Sequence, residues 1–156
     1  TRPLFKTAGG RPVYGGGGIT PDYIVKSDRL SEFAVQLRSK LVFLEYASTY
    51  VDRHGKELRE RYGKDVRKFA SDFTVSPEML EEILAVAKAK KVEFKQDQYD
   101  KDLRYIKAFT RAFIGRNIWG NEGSARVMLA EDTQFQKAMT LFPEAEKIAR
   151  NITSLK

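Results

Sequence analysis

The chain has 156 residues, of which 42% are hydrophobic and 12% aromatic. This is enough for a packed core in one domain, or in one small domain with an appendage, and it excludes global disorder. A formal charge of +7, from 28 basic and 21 acidic residues, would attract acidic proteins, anionic lipid or nucleic acid. The absence of cysteine excludes disulfides, thiolate zinc sites and a cysteine nucleophile, and no apolar stretch is long enough to span a bilayer.

The chain opens on Thr1-Arg2-Pro3, without the basic and apolar segments of a signal peptide, and reads as if it began in mid-domain. Two short runs, Leu4 to Thr7 and Arg11 to Tyr14, flank Ala8-Gly9-Gly10, which predicts a β-hairpin. Pro12 lacks a backbone donor, so the second run is expected to lie at an edge or to be irregular. Gly15 to Gly18 follow, then Ile19-Thr20-Pro21-Asp22 and the apolar Tyr23-Ile24-Val25. A lone hairpin of this size is marginal, so it is expected to complete a larger sheet.

From Asp28 the hydrophobic period becomes helical, with Asp28 as the predicted cap and Gly55 as the predicted stop. Leu30, Phe33, Ala34, Leu37, Leu41, Leu44 and Val51 form the main stripe, and Val35, Val42 and Tyr46 a second one. Lys56 to Arg61 alternates charge and reads as a solvated turn of helix. Asp65 to Phe73 is a short helix with Val66, Phe69, Ala70 and Phe73 inward. Ser76-Pro77-Glu78 is a strong helix start, buried through Met79, Leu80, Ile83, Leu84 and Ala87, with Lys88, Lys90 and Lys91 at its favoured cationic end. Gln96 to Trp119 is the most apolar helix and is expected to sit centrally, with Gly120 as its left-handed terminator. Short helices are predicted over Ser124 to Ala130 and Asp132 to Leu141, and Pro143 opens a last one reaching about Asn151.

Candidate chemistry is sparse. Gly15 to Gly18 are not followed by Lys-Ser/Thr or a helix, so they are no phosphate loop. His54 is the sole histidine, which excludes a His-based triad or a two-His metal site, and it reads as a helix-end residue. The serines fall on caps, amphipathic helices and the tail, none on a strand-to-helix turn that would expose a nucleophile. Asp97, Asp100, Asp102, Glu131 and Asp132 lack metal-loop spacing and read as solvated faces. Between Lys88 and Arg116, cations alternate with Tyr99, Tyr105, Phe109 and Phe113. Helical spacing puts Lys101, Arg104, Lys107 and Arg111 on one face and the aromatics on the other, the core.

Phe5-Lys6-Thr7-Ala8-Gly9-Gly10-Arg11, Val13-Tyr14-Gly15-Gly16-Gly17 and Gly18-Ile19-Thr20-Pro21-Asp22-Tyr23-Ile24-Val25 resemble the C-terminal-processing (tail-specific) serine peptidase family. That family carries Tyr/Phe-x-Thr-Pro-x-Gly-Arg, a glycine-bearing link and Gly-Ile-x-Pro-Asp before an apolar run; Ala8 stands where its proline would be. Gly115 to Gly120 and Asp132 to Leu141 are similar to the helical tails of envelope members. The resemblance implies a parent with an upstream PDZ domain, an α/β peptidase core and a Ser/Lys dyad that lies before the motif. No catalytic residue therefore maps onto this chain. Thr7, Gly10, Arg11, Gly18, Ile19, Pro21 and Asp22 match the motif, with an implied structural role.

The expected fold is mainly α. Residues 1–26 are the terminal hairpin and loop that complete the parent's peptidase sheet, and 27–156 form a helical C-terminal domain of about five to seven helices. The expected function is that of a non-catalytic region of a serine endopeptidase that processes protein C-termini, inactive alone, with the helices serving packing, oligomerisation or docking. Its expected partners are the upstream peptidase core of the same parent chain and protein substrates with loose C-termini, with self-association also open to it. No cofactor, no metal, no nucleic acid and no membrane span are expected, and the implied location is the bacterial cell envelope or periplasm. The alternative is a basic helical interaction or nucleic-acid-binding module unrelated to peptidases.

Overall fold

A computed structural model of the chain describes residues 2–18, 21, 23–26 and 29–153. The chain divides into two compact units, one formed by Thr1–Ser27 with Thr133–Lys156 and the other by Asp28–Asp132. Among the described residues the structure is mainly helical, with seven helices and one two-stranded antiparallel hairpin.

In the first unit, strands β1 (Leu4–Lys6) and β2 (Pro12–Tyr14) pair Leu4 with Tyr14, Phe5 with Val13 and Lys6 with Pro12. The strands are only three residues long, and Leu4, Phe5 and Tyr14 are each more than half exposed, so the hairpin has no core of its own. Two further amphipathic helices belong to this unit, α6 (Thr133–Thr140) and α7 (Phe142–Thr153). Tyr23 to Val25 lies against α6: Gln134 Nε2 donates to the Val25 carbonyl at 2.9 Å, and Lys137 Nζ stands 5.2 Å from the centre of the Tyr23 ring.

The second unit is built around α5 (Gln96–Glu131), which packs against α1 (Glu32–Ser39), α2 (Val42–Tyr62) and α3 (Val66–Asp72), while α4 (Pro77–Ala89) packs on α2. The core holds Phe33, Leu37, Phe43, Tyr46, Phe69, Ile83, Ile106 and Ile114, all essentially inaccessible. The central position expected for the 96–119 helix follows from its apolar face. Gly120, at φ +67°, ends that limb, and the helix folds back through 121–131. The fold-back is tight because Gly115 and Gly123 meet backbone to backbone: a Cβ on Gly123 would lie 2.1 Å from the Gly115 carbonyl oxygen.

The expected helix from Asp28 to Gly55 is corrected. Asp28 lies outside the described residues, and the cap is Ser31, whose Oγ accepts the Ala34 N–H at 3.3 Å. The helix then breaks at Leu41, which adopts a left-handed conformation (φ 57°) without glycine or asparagine to announce it. The break shifts the helical phase beyond it, so Leu41 and Leu44 of the expected main stripe are exposed while Val42, Phe43 and Ala47 are buried; Val35 of the second stripe is exposed too, since α1 buries Phe33, Ala34 and Leu37 instead. Gly55 does not stop α2, because Leu58 and Tyr62 continue the buried stripe beyond it. Lys91, also left-handed, closes α4, with the Val92 N–H donating to the Ala87 carbonyl and the Val92 side chain buried.

Candidate functional site

The motif residues of the hairpin have a local explanation in its turn. The Gly10 N–H donates to the Thr7 carbonyl at 2.8 Å, and the Thr7 N–H to the Arg11 carbonyl at 2.9 Å. Thr7 Oγ1 accepts the Arg11 N–H at 3.1 Å. Gly10 at φ +77° is the left-handed residue this turn-plus-bulge requires. Gly18 is also at positive φ, in a run of three such glycines. Pro21 lines a cavity with Tyr23 and Leu141, whereas Ile19 and Asp22 lie outside the described residues. Thr7, Gly10 and Arg11 are thus brought together in one turn.

In the helical unit a cluster of linked charges lies on α5. Arg104 Nε donates to Glu131 Oε2 at 2.9 Å, and its Nη2 to the Glu131 carbonyl at 3.3 Å. Arg111 Nη1 donates to Glu131 Oε1 at 3.3 Å, and its Nη2 to the Ala70 carbonyl at the end of α3. Two guanidinium groups therefore hold one carboxylate and staple the folded-back limb of α5 to its first limb. These groups, Lys107, Ser71 and the segment Phe73 to Val75 surround a cavity of about 430 Å3. Sequence reading placed Glu131 on a solvated face. The fold-back at Gly120 brings it against the basic face instead, a juxtaposition no local period shows.

Asp102 is a second correction. It was expected to be solvated but is buried, and its Oδ2 accepts the Ser31 N–H at 2.9 Å, while Gln98 Oε1 accepts the Phe33 N–H at 2.9 Å. Helix α5 thereby satisfies the unpaired donors at the start of α1. The signal was present: Asp102 lies in the i, i+4, i+8 line with Ile106 and Thr110, both buried.

Around α2, Arg53 makes a two-point contact with Glu82 at 3.0 and 2.8 Å, holding the Glu82 carboxyl below its usual range. Burial, with the Glu82 carboxylate beside it, pushes the Tyr46 hydroxyl well above the ordinary tyrosine value. His54 stands in mid-helix rather than at a helix end, its ring 4.6 Å from Tyr50 and its Nδ1 4.0 Å from Glu57. Among the described residues no three His, Cys, Asp or Glu side chains gather as a metal site, and no helix is long and apolar enough to cross a membrane. Of the four α5 aromatics expected in the core, Tyr99, Phe109 and Phe113 pack against it, whereas Tyr105 is half-buried outside the cluster. Trp119 anchors the turn after α2, donating from Nε1 to the Gly63 carbonyl at 2.9 Å, with its ring tilted against Phe69 at 4.8 Å between centres.

No curated protein and no solved structure matches the chain. The model of a family of unknown function, DUF8443, matches residues 33–120, a stretch that begins in α1 and ends at the Gly120 corner. This covers more than half of the sequence, and the chain belongs to that family.

Proposed function

We propose that this chain is the non-catalytic C-terminal region of a serine endopeptidase of the C-terminal-processing family. On this reading the hairpin completes a sheet of the parent's peptidase core, and the family segment 33–120 forms a helical docking or packing domain beside it. The parent would act in a bacterial envelope on proteins with loose C-termini, and the chain alone would cut nothing. The observation that carries the reading is the hairpin. It bears the family-like motif, its turn uses Thr7, Gly10 and Arg11 in that order, and it leaves Leu4, Phe5 and Tyr14 exposed. Three-residue strands with uncovered apolar side chains need a neighbouring sheet for stability. The motif lies outside the segment matched by the family of unknown function, and the reading rests on the hairpin alone.

The test is the native gene product. Its mass and sequence, read from the source organism, are expected to show a peptidase core ahead of the hairpin. The purified product should shorten an unstructured polypeptide from near its C-terminus, while the isolated chain leaves it intact. A native product without a peptidase core overturns the proposal.

A further inference from the structure

The cavity between the end of α3 and α5 combines two features that a purely structural ion pair does not need together. Its basic wall comprises Arg104, Lys107 and Arg111, one turn apart along α5, against the single carboxylate of Glu131. The two arginines are already fixed by Glu131 and by the Ala70 carbonyl. The Lys107 side chain, between them in sequence, has no hydrogen bond or ion pair among the described residues. The rest of the lining is Ser71, Phe73, Thr74, Val75 and Leu103, so the floor beside the cations is mostly apolar.

We infer that this cavity binds the terminal carboxylate of a polypeptide whose last side chain is apolar, with Lys107 as the charge partner and the Phe73–Val75 segment receiving the side chain. The arginines raise the local positive potential and hold the wall in place, while Glu131 leaves a surplus of positive charge for one incoming anion. A cation beside an apolar wall suits a carboxylate on an apolar residue better than a bare inorganic anion, which would leave the floor unused. A volume of about 430 Å3 accommodates one terminal residue and part of the next. Naming a polypeptide C-terminus as the natural ligand rests on the peptidase reading, whereas the preference for an apolar carboxylate does not.

The test uses the full chain labelled with 15N and titrated with N-acetyl-leucine, with N-acetyl-leucinamide and with inorganic phosphate. N-acetyl-leucine is expected to move the amide signals of residues 71–75 and 103–111, and the uncharged amide to bind at least about tenfold more weakly. Lys107→Gln should lose the same factor while the unfolding midpoint stays put, since Lys107 holds nothing in the chain. Three results would each overturn the inference: no movement at these amides, equal binding of acid and amide, or phosphate binding more tightly than N-acetyl-leucine. The titration stands apart from the native gene product, so the failure of one reading is distinguishable from the failure of the other.

Discussion

Replacing Gly123 by alanine puts a methyl group where the fold-back of α5 leaves no room. The added Cβ would sit 2.1 Å from the Gly115 carbonyl oxygen and 2.5 Å from its carbonyl carbon, both backbone atoms. No rotamer change relieves that contact. The two limbs must part by roughly 1 Å, which loosens the packing of Val127, Phe69 and Ile114. Overpacking of this kind costs about 1–3 kcal/mol, sometimes more, and the better helix propensity of alanine returns about 1 kcal/mol. With backbone on both sides the upper end applies, and a net loss of about 2 kcal/mol is expected. For a chain of this length that lowers the melting temperature by roughly 4–8 °C. Gly55→Ala is the control: its new Cβ would meet the Arg59 guanidinium at 2.9 Å and the Val51 Cγ1 at 3.0 Å, side-chain atoms that can move. It should leave stability unchanged or raise it by up to about 1 kcal/mol. Gly115→Ala, with closest contacts of 3.0 Å, should fall between the two. Denaturant unfolding followed by far-UV circular dichroism reports the whole helical fold, and Trp119 fluorescence reports the corner itself. Equal stability of the Gly123→Ala and Gly55→Ala proteins would refute the close approach of the two limbs.

Asp102→Ala should cost about 2–3 kcal/mol, because it opens a buried space and strands the Ser31 N–H; Asp102→Asn, which keeps an acceptor, should lose less, as denaturant midpoints will show. Tyr46→Phe removes a buried hydroxyl beside the Glu82 carboxylate and should change stability at neutral pH by no more than about 1 kcal/mol. The Tyr46 pKa is raised on folding, so its contribution is complete below the unfolded value of about 10 and lost as pH rises beyond it; thermal melts of the Phe variant should show a shallower alkaline decline. Leu41→Gly relieves a left-handed leucine that is more than half exposed and should stabilise the α1–α2 turn by up to about 1 kcal/mol, measured by the same melts.

The helices with both a cap and an uninterrupted stripe were legible. Ser76-Pro77-Glu78 opens α4 as its residue types require, with the Ser76 hydroxyl accepting the Met79 N–H. Gly120 ends the first limb of α5 in the left-handed conformation that its composition suggests. The 28–55 stretch was not legible, because its break depends on Leu41 accepting strain. That strain is offset by burying Val42 and Phe43 on one side and Phe33 and Leu37 on the other. Local rules prefer glycine at such a point, and tertiary burial overrode them. Gly55 misled in the opposite direction: a glycine signals a stop only where the apolar stripe also ends, and Leu58 and Tyr62 carry it on.

The same distinction governs the candidate sites. The hairpin motif is a local object, since Thr7, Gly10 and Arg11 bond to one another within five residues, and its turn could be read along the chain. The basic cavity is non-local. Arg104 and Glu131 are far apart in sequence and meet only because Gly120 reverses the helix and Gly115 and Gly123 let the limbs close. Without that reversal Glu131 is one more surface acid and Lys107 one more surface base. The Gly123→Ala protein therefore links fold and site. If its limbs part, the two-arginine clamp on Glu131 opens, the basic wall loses its alignment, and N-acetyl-leucine should bind more weakly although no residue lining the cavity has changed. Undiminished binding in a Gly123→Ala protein that is measurably destabilised would mean that the fold-back does not shape the cavity.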